Sequence, residues 1–218
     1  MQLNTVIFDM DGLLIDSEPL WNEAAEEVFG YYGKKLTRED YATTTGLRTK
    51  EFVAWWLRDY KFDNAELEKA GKRIIDLVNE KVQQKGKILP GVHYIINFFH
   101  ERNFKIGLAT SSPLSLVTNV TQLLRIAPYL QVTTSAEYLP FGKPHPQVYL
   151  DCAQQLNASP LECLCFEDSI NGMIAVKAAR MKCVVVPEHS LQKSDKWSLA
   201  DLKLSSLQNF NELHFNLL

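Results

Sequence analysis

Five short runs of apolar and β-branched residues constrain this fold most: Thr5 to Phe8, Lys105 to Ala109, Gln131 to Thr134, Leu164 to Phe166 and Cys183 to Val186. Each has the length of a strand. Most are continuous rather than alternating, the pattern of strands covered on both faces. The stretches that follow carry helical periodicity. Val92, Ile95, Ile96 and Phe99 make one apolar face, Leu116, Val117, Val120 and Leu124 a second, and Ile170, Met173, Ile174 and Ala178 a third. Strands alternating with helices predict an α/β fold built on a parallel, doubly wound sheet.

The spacing of the runs is uneven. A crossover between parallel strands needs only about a dozen residues, yet the stretch from Phe8 to Lys105 is far longer and contains no convincing strand. Leu67, Ala70, Ile74, Val78 and Val82 form a helical stripe within it, and Ser17-Glu18-Pro19 reads as a helix start. Residues 16–86 are therefore expected to form a separate helical unit, inserted into a core made of residues 1–15 and 87–218. A length of 218 residues suits one such core with a modest insertion.

Composition excludes several classes. The 26 acidic and 23 basic residues give a net charge of -3, and no segment has the basic run of a nucleic-acid footprint. Apolar stretches such as Val6 to Phe8 and Cys183 to Val186 fall far short of the roughly 20 residues that cross a bilayer. The first residues enter an apolar strand without a basic start or a cleavage site, so a cytoplasmic location is expected. Cys152, Cys163, Cys165 and Cys183 lie among apolar neighbours with no C-x-x-C spacing, which reads as four reduced core residues.

The chemistry concentrates at the ends of the strands. Asp9 and Asp11, followed by Gly12, stand where the first run stops, and Glu167-Asp168 stand where the fourth stops. Carboxylates clustered at buried strand ends repel one another unless a cation or a shared proton compensates, and open sheets bind ligands beyond those ends. A metal site follows, and Mg²⁺, which takes one or two carboxylates together with substrate phosphate, suits Asp9 and Asp168. Lys143, in Gly142-Lys-Pro-His-Pro146, sits in a loop stiffened by two prolines, where its ammonium would bind phosphate and offset the carboxylates. Thr110-Ser-Ser-Pro113 follows the second run and opens onto a helix, a setting that binds phosphate or simply caps the helix.

In the order Asp9-x-Asp11-Gly12, Thr110, Lys143-Pro144 and Glu167-Asp168, the sequence resembles the haloacid dehalogenase-like hydrolase superfamily over nearly its whole length. Within it the chain is similar to the β-phosphoglucomutase and sugar-phosphatase branch, whose Rossmann-like core carries a helical cap inserted after the first strand. The stretch Asp-Met-Asp-Gly-Leu-Leu-Ile-Asp-Ser-Glu-Pro-Leu-Trp21 is most similar to bacterial phosphatases of hexitol phosphates and 2-deoxyglucose 6-phosphate. The resemblance implies Asp9 as nucleophile and metal ligand, and Asp11 as general acid and base that also binds Mg²⁺ through its backbone carbonyl. It implies that Thr110, Lys143 and Ser111 hold the phosphoryl group, and that Asp168, with Glu167 beside it, completes the metal shell. Arg48, in Thr45-Gly-Leu-Arg48, is similar to the substrate-contacting residue of the family's specificity loop.

The reaction so implied is Mg²⁺-dependent hydrolysis of a small phosphorylated metabolite, a sugar or polyol phosphate, by a monomer or weak homodimer. A dehalogenase lacks the second aspartate, so Asp11 argues against one. A sugar phosphomutase of the same branch has histidine where this chain has Trp21, which favours a phosphatase. A non-catalytic binding protein on the same fold is the reading from another class, and the intact charge set weighs against it. Trp55 and Trp56 are expected to pack the cap, and Arg180 occupies a helix end where relatives usually carry glycine.

Overall fold

The structure is a computed structural model in which residues 2–218 are described. The chain opens with β1 (Thr5–Phe8) and then runs through α1 (Glu18–Tyr31), α2 (Arg38–Thr44), α3 (Thr49–Leu57) and α4 (Asn64–Lys85) before returning through α5 (Val92–His100). From there strand and helix alternate as β2 (Lys105–Thr110), α6 (Leu114–Leu123), β3 (Val132–Ser135), α7 (Gln147–Gln155), β4 (Cys163–Glu167), α8 (Ile170–Ala178) and β5 (Lys182–Val185). A two-residue β6 (Leu202–Lys203) and a short α9 (Glu212–Asn216) close the chain.

Among the described residues all six strands are parallel, in the order β3-β2-β1-β4-β5-β6. The sheet is buried on both faces, which is why its strands read as continuous apolar runs. Val6, Phe8, Leu108, Phe166 and Val184 belong to one layer with Phe99 and Phe210, whereas Ile7, Ala109, Cys165, Cys183 and Val185 pack in the other with Met173 and Tyr149. Side-chain alternation along each strand sends neighbours to opposite layers. The five expected strands are present with ends displaced by a residue or so; β6 is an addition.

Register places the site. Phe8 pairs with Leu108 on one side and Phe166 on the other, so Asp9, Thr110 and Glu167 all emerge at the carboxyl edge of the central strands. The polypeptide leaves and re-enters this edge through paired segments: Ile15 bridges Ile88, and the Asp16 N–H donates to the Lys87 carbonyl at 2.9 Å. Beyond this double crossing, α1 and α3 pack on α4, whose buried Ala70, Ile74, Val78 and Val82 form the stripe expected there. Thr37 with Asp40 and Asp63 with the Glu66 N–H cap α2 and α4. Arg180 keeps the left-handed stop after α8 at φ 64° without the expected glycine. Among the described residues no helix is long and apolar enough to cross a membrane.

Candidate active site

Asp9 is the first residue beyond β1, and its N–H still donates to the Phe166 carbonyl at 3.0 Å, so the ladder fixes its backbone. Its carboxylate meets Lys143, which the loop between β3 and α7 sends inward. The buried Lys143 ammonium lies 2.6 Å from Asp9 Oδ1, 2.6 Å from Glu167 Oε1, 3.1 Å from the Tyr149 hydroxyl and 3.2 Å from the Ala109 carbonyl. Glu167 is fully enclosed: the Tyr149 hydroxyl donates to Oε1 at 2.5 Å, and Oε2 accepts from the N–H groups of Asp168 and Ser169 and from the Ser169 hydroxyl. Its hydrogen bonds hold Lys143 and the start of α8.

Carboxylates outnumber the ammonium here. Asp9, Glu167 and Asp168 each offer an oxygen within 4.8 Å of the others, three carboxylates against the single Lys143 ammonium. Burial first, then Glu167, push the Asp9 carboxyl up to about 8 despite the pull of Lys143. Burial, Glu167 and Asp9 raise Asp168 well above the usual carboxylate range. Burial works against the Lys143 ammonium, but its two carboxylate partners outweigh it and hold the amine above its ordinary range. A site built of hard oxygen donors with uncompensated negative charge fits Mg²⁺. Gly12 makes room for the Asp168 carboxylate: with φ at +71°, a Cβ there would fall 2.0 Å from Asp168 Oδ2.

Asp11 has a different environment. Its Oδ1 accepts from the Ser17 hydroxyl at 2.6 Å and from the Trp21 indole N–H at 3.0 Å, and its Oδ2 accepts from the Ser112 hydroxyl at 2.6 Å. Its side chain is thus held by neutral donors, apart from the Asp9, Glu167 and Asp168 cluster. The sequence places Ser17 at a helix start, Ser112 in the stretch that binds phosphate or caps a helix and Trp21 where a mutase has histidine, but it ties none of them to Asp11 and gives Tyr149 no role. Ser17 and Trp21 carry a signal in hindsight, because four residues apart at the start of a helix they share one face.

A cavity of about 70 Å³ lies between these strand ends and the helices α1 to α3, lined by Asp9, Asp11, Thr110, Lys143 and Asp168 from below and by Trp21, among others, from above. Thr110 and Ser111 both line it. The Thr110 hydroxyl accepts from the Ser112 N–H at 3.1 Å, while the Ser111 hydroxyl donates to the Gly46 carbonyl at 2.7 Å, across the cavity rather than into it. Arg48 differs from expectation. Its buried guanidinium faces the carbonyls of Ala136, Leu139 and Pro140 and the Glu51 carboxylate, so it is turned away from the cavity that Thr45, Gly46 and Leu47 line. Trp55 and Trp56 lie outside the cavity, and the Trp56 N–H donates to Thr44.

Residues 3–180 match the haloacid dehalogenase-like hydrolase family. The chain belongs to that family. This hydrolase is 42% identical to hexitol phosphatase B of Escherichia coli K12, over 94% of its own length and 93% of the relative's. It is 31% identical to the phosphorylated carbohydrates phosphatase of Thermotoga maritima, covering 87% of each chain. Among solved structures, the β-phosphoglucomutase of Clostridium difficile superposes with a TM-score of 0.88 at 22% identity, covering 99% of this chain and 96% of that one, a likeness of fold. The four motif positions of this haloacid dehalogenase-like hydrolase thus meet at one edge of the sheet.

Proposed function

We propose that this enzyme is a Mg²⁺-dependent phosphatase of small sugar or polyol phosphates, with Asp9 as nucleophile and Asp11 as general acid and base. The helical unit, residues 16–86, acts as its cap. One observation carries the reading: two aspartates on one strand end face the same cavity with opposite surroundings, Asp9 paired with Lys143 and Asp11 held by neutral donors. The Lys143 ammonium favours the ionised carboxylate that a nucleophile needs, and the three donors on Asp11 fix where its carboxyl faces.

In the first half of the reaction Asp9 Oδ2, left open while Oδ1 binds Lys143, attacks phosphorus. The bond from phosphorus to the sugar oxygen breaks, and Asp11 gives that oxygen its proton. In the second half Asp11 takes a proton from a water that attacks the aspartyl phosphate, and the bond between Oδ2 and phosphorus breaks to release orthophosphate. Lys143 and the Thr110 hydroxyl stabilise negative charge on the transferring group. Asp9, Asp168 and the Asp11 carbonyl would hold Mg²⁺, which when bound supplies further charge neutralisation at the phosphoryl oxygens. Trp21 supports a phosphatase over a mutase: an indole donates one N–H and has no second nitrogen to accept a proton.

The test is orthophosphate release from a panel of hexitol and hexose phosphates with MgCl₂. Nearly one orthophosphate per substrate consumed is expected, against almost none for a mutase, and EDTA should abolish release. Asp9→Asn should keep the native circular dichroism and lose turnover. Wild-type turnover in that variant would eliminate Asp9 as nucleophile.

A further inference from the structure

The segment 136–142 that delivers Lys143 is held from the other side by two residues at the start of α3. Arg48 precedes the helix and is 3% exposed, and its guanidinium donates to the carbonyls of Ala136, Leu139 and Pro140, at 3.2 Å for Ala136 and 3.3 Å for Pro140. Glu51, one turn on, pairs with that guanidinium, accepts from the Arg48 N–H at 3.2 Å and accepts from the Gly142 N–H at 3.3 Å. Arg48 is buried and Glu51 half-buried, so losing Glu51 leaves an enclosed guanidinium without its carboxylate partner. Gly142 immediately precedes Lys143, and its lack of a side chain permits the contact: a Cβ there would fall 2.6 Å from Glu51 Oε2 and 2.7 Å from Arg48 Nε.

We propose that Arg48 and Glu51 are positioning residues that fasten this strap and thereby set the Lys143 ammonium between Asp9 and Glu167, so that seating of α3 on the core is coupled to the charge at the phosphoryl site. Neither touches the reacting atoms. The coupling rests on the reading that Lys143 holds the phosphoryl group. It also accounts for a guanidinium spent on backbone carbonyls.

Glu51→Ala, Glu51→Gln and Gly142→Ala separate the possibilities, with hydrogen exchange at the Gly142 amide and p-nitrophenyl phosphate turnover in MgCl₂ as readouts. Glu51→Ala removes the acceptor and should speed exchange at Gly142 at least tenfold and lower kcat at least tenfold, with a smaller change in KM. Glu51→Gln keeps an oxygen for the Gly142 N–H and should fall between Glu51→Ala and wild type. Gly142→Ala pushes the strap away from Arg48 and Glu51 while leaving the sequence of α3 unchanged, and should match Glu51→Ala; it decides the question if Glu51→Ala does not fold. A lowered melting temperature with wild-type kcat per folded molecule, or faster exchange without loss of kcat, overturns the coupling. A wild-type protein inactive on every phosphate ester would instead sink the phosphatase reading, while the exchange data still report on the strap.

Discussion

Lys143→Met removes the ammonium that bridges Asp9 and Glu167 while keeping most of the side chain's bulk. The wild-type ammonium makes 2.6 Å bonds to both Asp9 and Glu167. Deleting one partner of a buried pair costs about 3–5 kcal/mol. For a chain of this size each kcal/mol moves the melting temperature by about 2–4 °C, so a drop of about 6–20 °C is expected. The sign of the pH dependence follows from Asp9, whose carboxyl is raised from 3.8 to about 8. A carboxyl that titrates higher in the fold than in the unfolded chain takes stability away as pH rises from its unfolded value to its folded one. Without Lys143, which pulls Asp9 down, that window extends upward. Below about 8 the folded Asp9 keeps its proton with or without the lysine, so the deficit of the variant grows as pH rises through 8. Thermal unfolding by circular dichroism in EDTA, at pH 6 and pH 9, measures it. Equal stability at pH 9, or a larger deficit at pH 6, refutes the charge argument.

Mg²⁺ competes with protons for Asp9 and Asp168, both raised by burial and by neighbouring carboxylates; its stabilising shift in melting temperature should therefore be larger at pH 8 than at pH 6, and an equal shift would count against binding at these groups. Trp21→Phe removes one of the three donors that orient the Asp11 carboxyl, and since a positioned acid-base group contributes about 10²–10⁴ in rate, kcat on a sugar phosphate should fall at least tenfold; an unchanged kcat would discard the contact. All four cysteines are buried and free, and burial pushes the Cys152 and Cys163 thiols up to about 12 and raises Cys165 and Cys183 as well. Native protein should leave all four unlabelled by a thiol-disulfide reagent that labels all four in denaturant.

The sequence made the strands legible for a physical reason: a parallel sheet buried on both faces leaves unbroken apolar runs, and carboxylates just past such runs stand out. Two-residue β6 leaves no run to read. Asp9, Glu167, Asp168 and Lys143 were visible because each interrupts its surroundings with charge. Ser112 was hidden, since it meets Asp11 from 101 positions away and serine before a helix ordinarily reads as a cap. Tyr149 carries no charge to mark it, and only the fold brings its hydroxyl to Glu167, 18 positions away. For Arg48 the segment was legible but the direction of the side chain was not, because that direction depends on which carbonyls the strap 136–140 presents.

The two aspartates draw on different parts of the molecule, and this has a kinetic consequence. Asp9 is held by β1, by Lys143 from the loop before α7 and, through Lys143, by Glu167 at the end of β4. Asp11 takes one donor from Ser112, before α6, and two from Ser17 and Trp21 at the start of α1. Disturbing α1 therefore reaches the proton donor before it reaches the nucleophile. Protonation matters in proportion to the basicity of the departing oxygen: a sugar alkoxide needs a proton, whereas p-nitrophenolate leaves without one. Trp21→Phe and Ser17→Ala should thus slow a hexitol phosphate at least tenfold more than p-nitrophenyl phosphate, while Lys143→Met, which acts on the phosphoryl group common to both, should slow the two alike. Equal losses on both substrates in the α1 variants would mean that Asp11 does not depend on α1 for its proton transfer.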